Sequence, residues 1–140
     1  LAALVFEDER ARRDLEAIIH PEVVDAIDRW FAELKQPGGR ALGVADVPLL
    51  YEAGLEGRFD RVVVVACDEP LQLRRVMARD GLSEREVRAR LAAQWPLADK
   101  IARADFVIRT DGTFSETEAQ VAVVLSRLEA LARTGTAGGR

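Results

Sequence analysis

The chain has almost no cysteine, histidine or lysine, and each shortage closes off a class of chemistry. One cysteine, Cys67, leaves no internal disulfide and no multi-cysteine metal site. One histidine, His20, removes most zinc chemistry and every histidine-based triad not built on that residue. Lysine occurs only at Lys35 and Lys100, both in helical contexts without glycines, so the phosphate-cradling G-x-x-x-x-G-K-[ST] motif of P-loop enzymes is absent. The 140 residues as they stand are therefore not expected to transfer phosphate unaided. No apolar run approaches the roughly 20 residues that a bilayer span requires, and no charged-then-apolar leader opens the chain. A soluble, cytoplasmic protein with no membrane partner is the expectation. Initial methionine is lacking too: Leu1 opens on a helical pattern with no strand before it, which suggests a fragment, removal of a leader or tag being the simpler alternative.

What is present is a hydrophobic fraction of 49% and a charged fraction of 31%, enough for one compact domain with a core. The charge is unevenly placed. Between residues 74 and 103, seven arginines and Lys100 face four acids, a local balance of +4 in a chain whose net charge is −4, so the remainder carries −8. Basic charge gathered into one segment of an acidic protein points to a polyanion site rather than a general nucleic-acid surface.

Periodicity predicts a helix over residues 8–19, with Asp8 as N-cap and Leu15, Ile18 and Ile19 as its apolar stripe, then a second from Pro21 to about Gln36, stopped by Pro37-Gly38-Gly39. Residues 41–47 read as a strand ending in the acid Asp46, and 62–67 as a strand apolar enough to be buried on both faces of a parallel sheet. Asp68 is placed to cap a helix running to Asp80, broken by Gly81. Ser83 and Glu86 form a capping box for a helix to about Trp95, and Pro96 ends it. A third strand is expected over 105–109 and a turn over Thr110–Thr113. Ser115 and Glu118 supply a second capping box for a helix to about Arg133, and the Gly-rich 134–140 a disordered tail. Three strands are few where about five is usual, which places the others upstream.

An acid at the carboxyl end of a buried strand followed by arginine-studded helices is the layout of a phosphate-handling α/β enzyme. Four pieces in this order resemble the dephospho-CoA kinase family: Leu15 to Pro21; Asp46-Val-Pro48-Leu49-Leu50-Tyr51-Glu52; Gln72 to Gly81 with Arg90 and Gln94; and Ala104 to Ile108 with Gly112. The resemblance covers about residues 1–125 and implies an α/β fold of the P-loop NTPase kind, a parallel sheet with flanking helices whose N-terminal strands lie outside this chain. It further implies ATP-dependent phosphorylation of the 3′-hydroxyl of dephospho-CoA, with Mg2+, ATP and dephospho-CoA as partners and a monomer or weak homo-oligomer as the assembly. A single domain over 1–133 would hold an acceptor-side helical segment at 1–36 and a lid at 74–103. His20, Pro21, Pro48, Leu49, Leu50 and Glu52 would line the acceptor. Arg75, Arg79 and Arg90 would serve catalysis from the lid, with Arg79, Thr110 and Gly112 beside ATP and Asp46 holding magnesium through water. The family usually has asparagine where this chain has Thr110, so a backbone contact there survives and a side-chain amide contact does not.

Each assignment has a plainer alternative. Asp46 also reads as a turn acid before Pro48, His20 as a packing residue at a helix junction, Glu52 as a cap or ion-pair partner, and the arginines as a solvated face. Cys67 reads as a buried small hydrophobe, and Trp30, Phe31 and Trp95 as core or interface. Two rival functions remain at this point: a non-catalytic CoA- or nucleotide-binding module, and another nucleoside or nucleotide kinase with a similar lid.

Overall fold

A computed structural model describes residues 9–34 and 42–133. The expected cap at Asp8, the stop at 37–39 and the tail at 134–140 lie outside the described residues. The chain divides into two units, residues 1–47 and 48–140.

In the first unit, helix α1 (Glu9–Leu34) is continuous, with Pro21 inside it. This corrects the expected break. Proline lacks the N–H that would bond the carbonyl four residues back, but the helix propagates on either side of that one missing bond. The expected stripe also shifts. Ile18 is 70% exposed and Ile19 44%, whereas Leu15, His20, Val24, Ile27, Phe31 and Leu34 are half-buried at three-to-five spacing. Trp30 and Phe31 meet edge to face, ring centroids 4.9 Å apart. Gly43 lies against this end of the helix, where a Cβ would run into Leu34 and Phe31. Residues 42–47 form no strand. A strand exists through ladder bonds to a neighbour, and no described strand lies beside this one.

The second unit opens with turns over 48–54, closed by Ala53 N–H to Leu49 O (3.0 Å) and Leu55 N–H to Leu50 O (3.0 Å). Strands β1 (Val63–Ala66) and β2 (Phe106–Arg109) pair in parallel, Val63 opposite Phe106. Between them run α2 (Glu69–Asp80), α3 (Glu84–Ala92) and α4 (Leu97–Arg103), and α5 (Phe114–Arg133) follows β2. Helix α2 has Pro70 in its first turn and ends at Gly81, whose φ of 67° is the left-handed C-cap conformation. The Ser83–Glu86 capping box opens α3 as expected, but α3 ends at Ala92, and the turn through Pro96 starts a further helix, α4, that the periodicity did not suggest. The second box is Thr113–Glu116 rather than Ser115–Glu118: Glu116 Oε2 accepts from Thr113 N–H at 2.6 Å, and Glu116 N–H donates to Thr113 Oγ1 at 3.2 Å.

The core gathers Tyr51, Val64 and Ala66, with Val62, Leu97, Ile101, Ala104 and Val107 packed on it. Helix α4 packs on β1, α5 on β2, and α3 on α2. Burial of β1 on both faces is not realised among the described residues. Val65 is 63% exposed while its register partner Ile108 is 8% exposed, so that face is covered at β2 and bare at β1.

Candidate functional site

Parallel strands deliver their carboxyl ends to one edge, the usual ligand side of an α/β sheet. Here those ends are locked together. Thr110 N–H donates to Ala66 O at 2.8 Å, and Asp68 N–H donates to Asp111 Oδ1 at 2.6 Å. Arg109 pairs with both Asp68 and Asp111, its Nε 2.8 Å from Asp111 Oδ2. The Asp68 N–H bond, foremost, and the Arg109 guanidinium hold the Asp111 carboxyl below the usual range. Asp68 occupies the N-cap of α2, but its side chain turns to Arg109 instead of capping.

Two of the expected residues meet here. Arg75 donates to Thr110 Oγ1 at 3.0 Å and to Thr110 O at 2.8 Å, a two-pronged grip from α2 onto the end of β2. The N–H, hydroxyl and carbonyl of Thr110 are thus all engaged inside the fold, leaving Asp111, Gly112 and Thr113 as the exposed part of that turn. A Cβ on Gly112 would collide with the Glu116 carboxylate that caps α5.

Arg79 and Arg90 form a separate pair. Arg79 sits one helical turn from Arg75 but turns to Asp80, Nε 2.7 Å from Oδ1, and Arg90 comes from α3 to 3.7 Å of Asp80 Oδ2. The Arg79 hydrogen bond holds the Asp80 carboxyl low. The Asp80 carboxylate thus takes two guanidinium groups, and the side chain of Arg79 is 74% exposed.

Glu52 behaves differently from its neighbours Pro48 and Leu49, which are exposed, and Leu50, which is half-buried. Its Oε1 accepts from Lys100 Nζ at 2.7 Å and from Trp95 N–H at 2.8 Å. Trp95 in turn lies nearly parallel to Tyr51, centroids 5.9 Å apart, and the Arg103 guanidinium stands 5.0 Å from its ring centre. The sequence marks Lys100 and Arg103 only as members of the basic 74–103 segment, and Trp95 only as a core or interface residue. The usable signal was rarity, since Lys100 is one of two lysines in an arginine-rich chain. Beside this cluster lies an open groove of about 530 Å³, lined by Gln72, Arg88, Leu91, Gln94, Trp95 and Lys100 among others.

His20, Pro21 and Asp46 belong to the first unit. His20 lies half-buried on the stripe of α1, and Asp46 is exposed. Among the described residues no group of three His, Cys, Asp or Glu is placed to hold a metal. Asp46 alone offers a single hard oxygen donor, which suits contact through water to an ion carried by a nucleotide's phosphates and not a protein-built metal cage. No helix among the described residues is long and apolar enough to cross a membrane.

A family model of dephospho-CoA kinases matches residues 1–116. The dephospho-CoA kinase of Geobacillus kaustophilus is 45% identical over 131 residues, covering 94% of this chain and 65% of the relative. That of Syntrophotalea carbinolica is 45% identical over 128 residues, covering 91% and 60%. Among solved structures, a Thermus thermophilus protein superposes with a TM-score of 0.73 at 39% identity, over 91% of this chain and 64% of that one. The dephospho-CoA kinase of Campylobacter jejuni gives 0.61 at 26% identity, over 91% and 62%. The chain thus spans less than two-thirds of the length of these relatives. On the match over residues 1–116 and on the relatives' identity, the chain belongs to the dephospho-CoA kinase family.

Proposed function

We propose that the protein carrying this chain phosphorylates the ribose 3′-hydroxyl of dephospho-CoA with ATP, giving coenzyme A and ADP, and that the described residues supply its lid and part of its acceptor side. The observation that carries the reading is the arginine arrangement on α2 and α3. Arg75 ties the lid to the end of β2, while Arg79 and Arg90 share one exposed carboxylate, Asp80. A polyphosphate reaching that pair replaces Asp80 as acceptor, and two guanidinium forks then face the oxygens on which charge develops during transfer. Asp46 would be the candidate partner, through water, of a magnesium ion bound with ATP, which would neutralise charge on the phosphate oxygens. Closure of α2 and α3 over the nucleotide excludes water that would otherwise hydrolyse it. Gly112, exposed in the turn after β2, is the candidate neighbour of the adenine; the candidate acceptor residues are Pro48 to Leu50 in the second unit and, taken separately, His20 and Pro21 in the first.

The test is ADP formation in the full-length enzyme, with and without dephospho-CoA. Turnover that requires dephospho-CoA is expected, with Arg79→Ala lowering kcat about tenfold or more. ADP release indifferent to the acceptor would refute the assignment, and an unaltered kcat would return Arg79 to the solvated face. Residues 1–140 alone, lacking the phosphate-cradling motif, are expected to give no turnover.

A further inference from the structure

We infer that Glu52 is a positioning residue that fixes the returning root of the lid, acting through Trp95 and Lys100 rather than by touching the acceptor; this rests on the kinase reading above. The lid is an excursion with two roots. It leaves the sheet at Asp68 and returns between Ala93 and Leu97. Helix α3, which carries Arg90, packs on α2 and makes no comparable packing with the sheet among the described residues, so its placement depends on how the roots are held.

The outgoing root is pinned by Asp68 to Asp111 and Arg109. The returning root is pinned by two successive residues of the 48–54 turn. Tyr51, 5% exposed and part of the core, presents its ring to Trp95. Glu52 places Oε1 between the Trp95 N–H and Lys100 Nζ, and Lys100 also reaches Gln94 Oε1 at 3.4 Å. The side chains of Glu52 and Lys100 are only 16% and 13% exposed. A carboxylate so engaged is turned toward the hinge and is poorly placed to be an acceptor contact. Glu52 Oε2 is buried with no hydrogen-bond partner among the described residues. A buried pair satisfied on one oxygen only adds little net stability, and it fixes register instead. What it registers is the Gln94–Trp95 hinge, hence the reach of Arg90 toward Asp80.

The experiment compares wild type, Glu52→Gln, Lys100→Met and the double variant in the full-length enzyme. Each single change is expected to lower kcat about tenfold while KM for dephospho-CoA stays within about twofold, because a misplaced lid costs the transition state and not acceptor binding. The double variant is expected to be no worse than either single one, and Lys100→Arg to recover roughly half the lost turnover. A raised KM for dephospho-CoA with kcat intact would make Glu52 an acceptor contact, and unchanged kinetics would make it a structural residue; both overturn the inference. If Glu52→Gln does not fold, the contrast between Lys100→Met and Lys100→Arg decides. A wild type without dephospho-CoA-dependent turnover would fail the kinase reading instead. The root is then judged by hydrogen exchange: Glu52→Gln must speed exchange of the α3 amides about tenfold, and unchanged protection would overturn it.

Discussion

Burial alone would push the Glu52 carboxyl up, yet hydrogen bonds from Lys100 and the Trp95 N–H, with the lysine's charge, hold it below its ordinary value of 4.5. A group whose titration is depressed by folding contributes stability above its ordinary value and loses it as pH falls through the folded value. The melting temperature is therefore expected to hold between about pH 7 and pH 5 and to drop below that. Exposed carboxyls at Asp80 and Asp111 add to the drop with the same sign, so the check is the difference from Glu52→Gln, which should shrink toward zero as pH falls from the ordinary value through the lower folded one. A constant difference across that range would remove the linkage. Residues of this kind were half legible. Glu52 was marked out by its neighbours, but its partner lies 48 positions away, a distance only the parallel crossover closes. Arg75 and Thr110, 35 apart, each stand out in the sequence, but nothing local pairs them, for the same reason. Gly112 was read for a ligand, and its immediate structural need is the Glu116 cap that folds over it.

At the scale of elements, the start of α5 is a contest between two equally good motifs. Thr113-x-x-Glu116 and Ser115-x-x-Glu118 both satisfy the box pattern, and local chemistry could not rank them. Tertiary context does: Gln120 must face β2, where its amide accepts from Arg109 N–H and donates to Arg109 O, both at 2.8 Å. Thr113→Ala is expected to destabilise the protein by about 1 kcal/mol, and Ser115→Ala by a few tenths at most, in urea unfolding. Equal losses would mean the helix frays to the later start. The same limit explains α1 and α4. A proline preceded by histidine reads as a boundary, but α1 runs across Pro21 with the loss of one backbone bond. Pro96 reads as a stop, and it is the N-cap of α4. By contrast α2, α3 and β1 were legible because their signals, Gly81, the Ser83 box and a run of valines, act locally.

Taken whole, the chain carries +4 over residues 74–103 and −8 over the rest, and that imbalance should appear as a kinetic salt effect. Raising ionic strength from about 50 to 300 mM is expected to raise KM for ATP roughly threefold while KM for dephospho-CoA moves less, since screening weakens exposed guanidinium groups first. Equal shifts would show that the lid's charge does not steer the nucleotide. The α/β class and the strand-to-helix order were legible from alternation of pattern, whereas the 42–47 segment was not, because a strand is a property of two chains of atoms and the sequence displays only one. The bond between Gln120 and Arg109 also gives the sheet a direction. In a parallel ladder alternate residues point their backbone groups to opposite sides; Phe106 and Thr110 turn to β1, so Arg109 turns outward, and its N–H and carbonyl are closed by a side chain that imitates a neighbouring strand. On β1, Val63 and Val65 turn theirs away from β2, beside an apolar surface left bare at Val65. A strand added beyond Arg109 would have to displace the Gln120 amide, whereas among the described residues no side chain closes Val63 or Val65 in this way, so a further strand is expected to pair at β1.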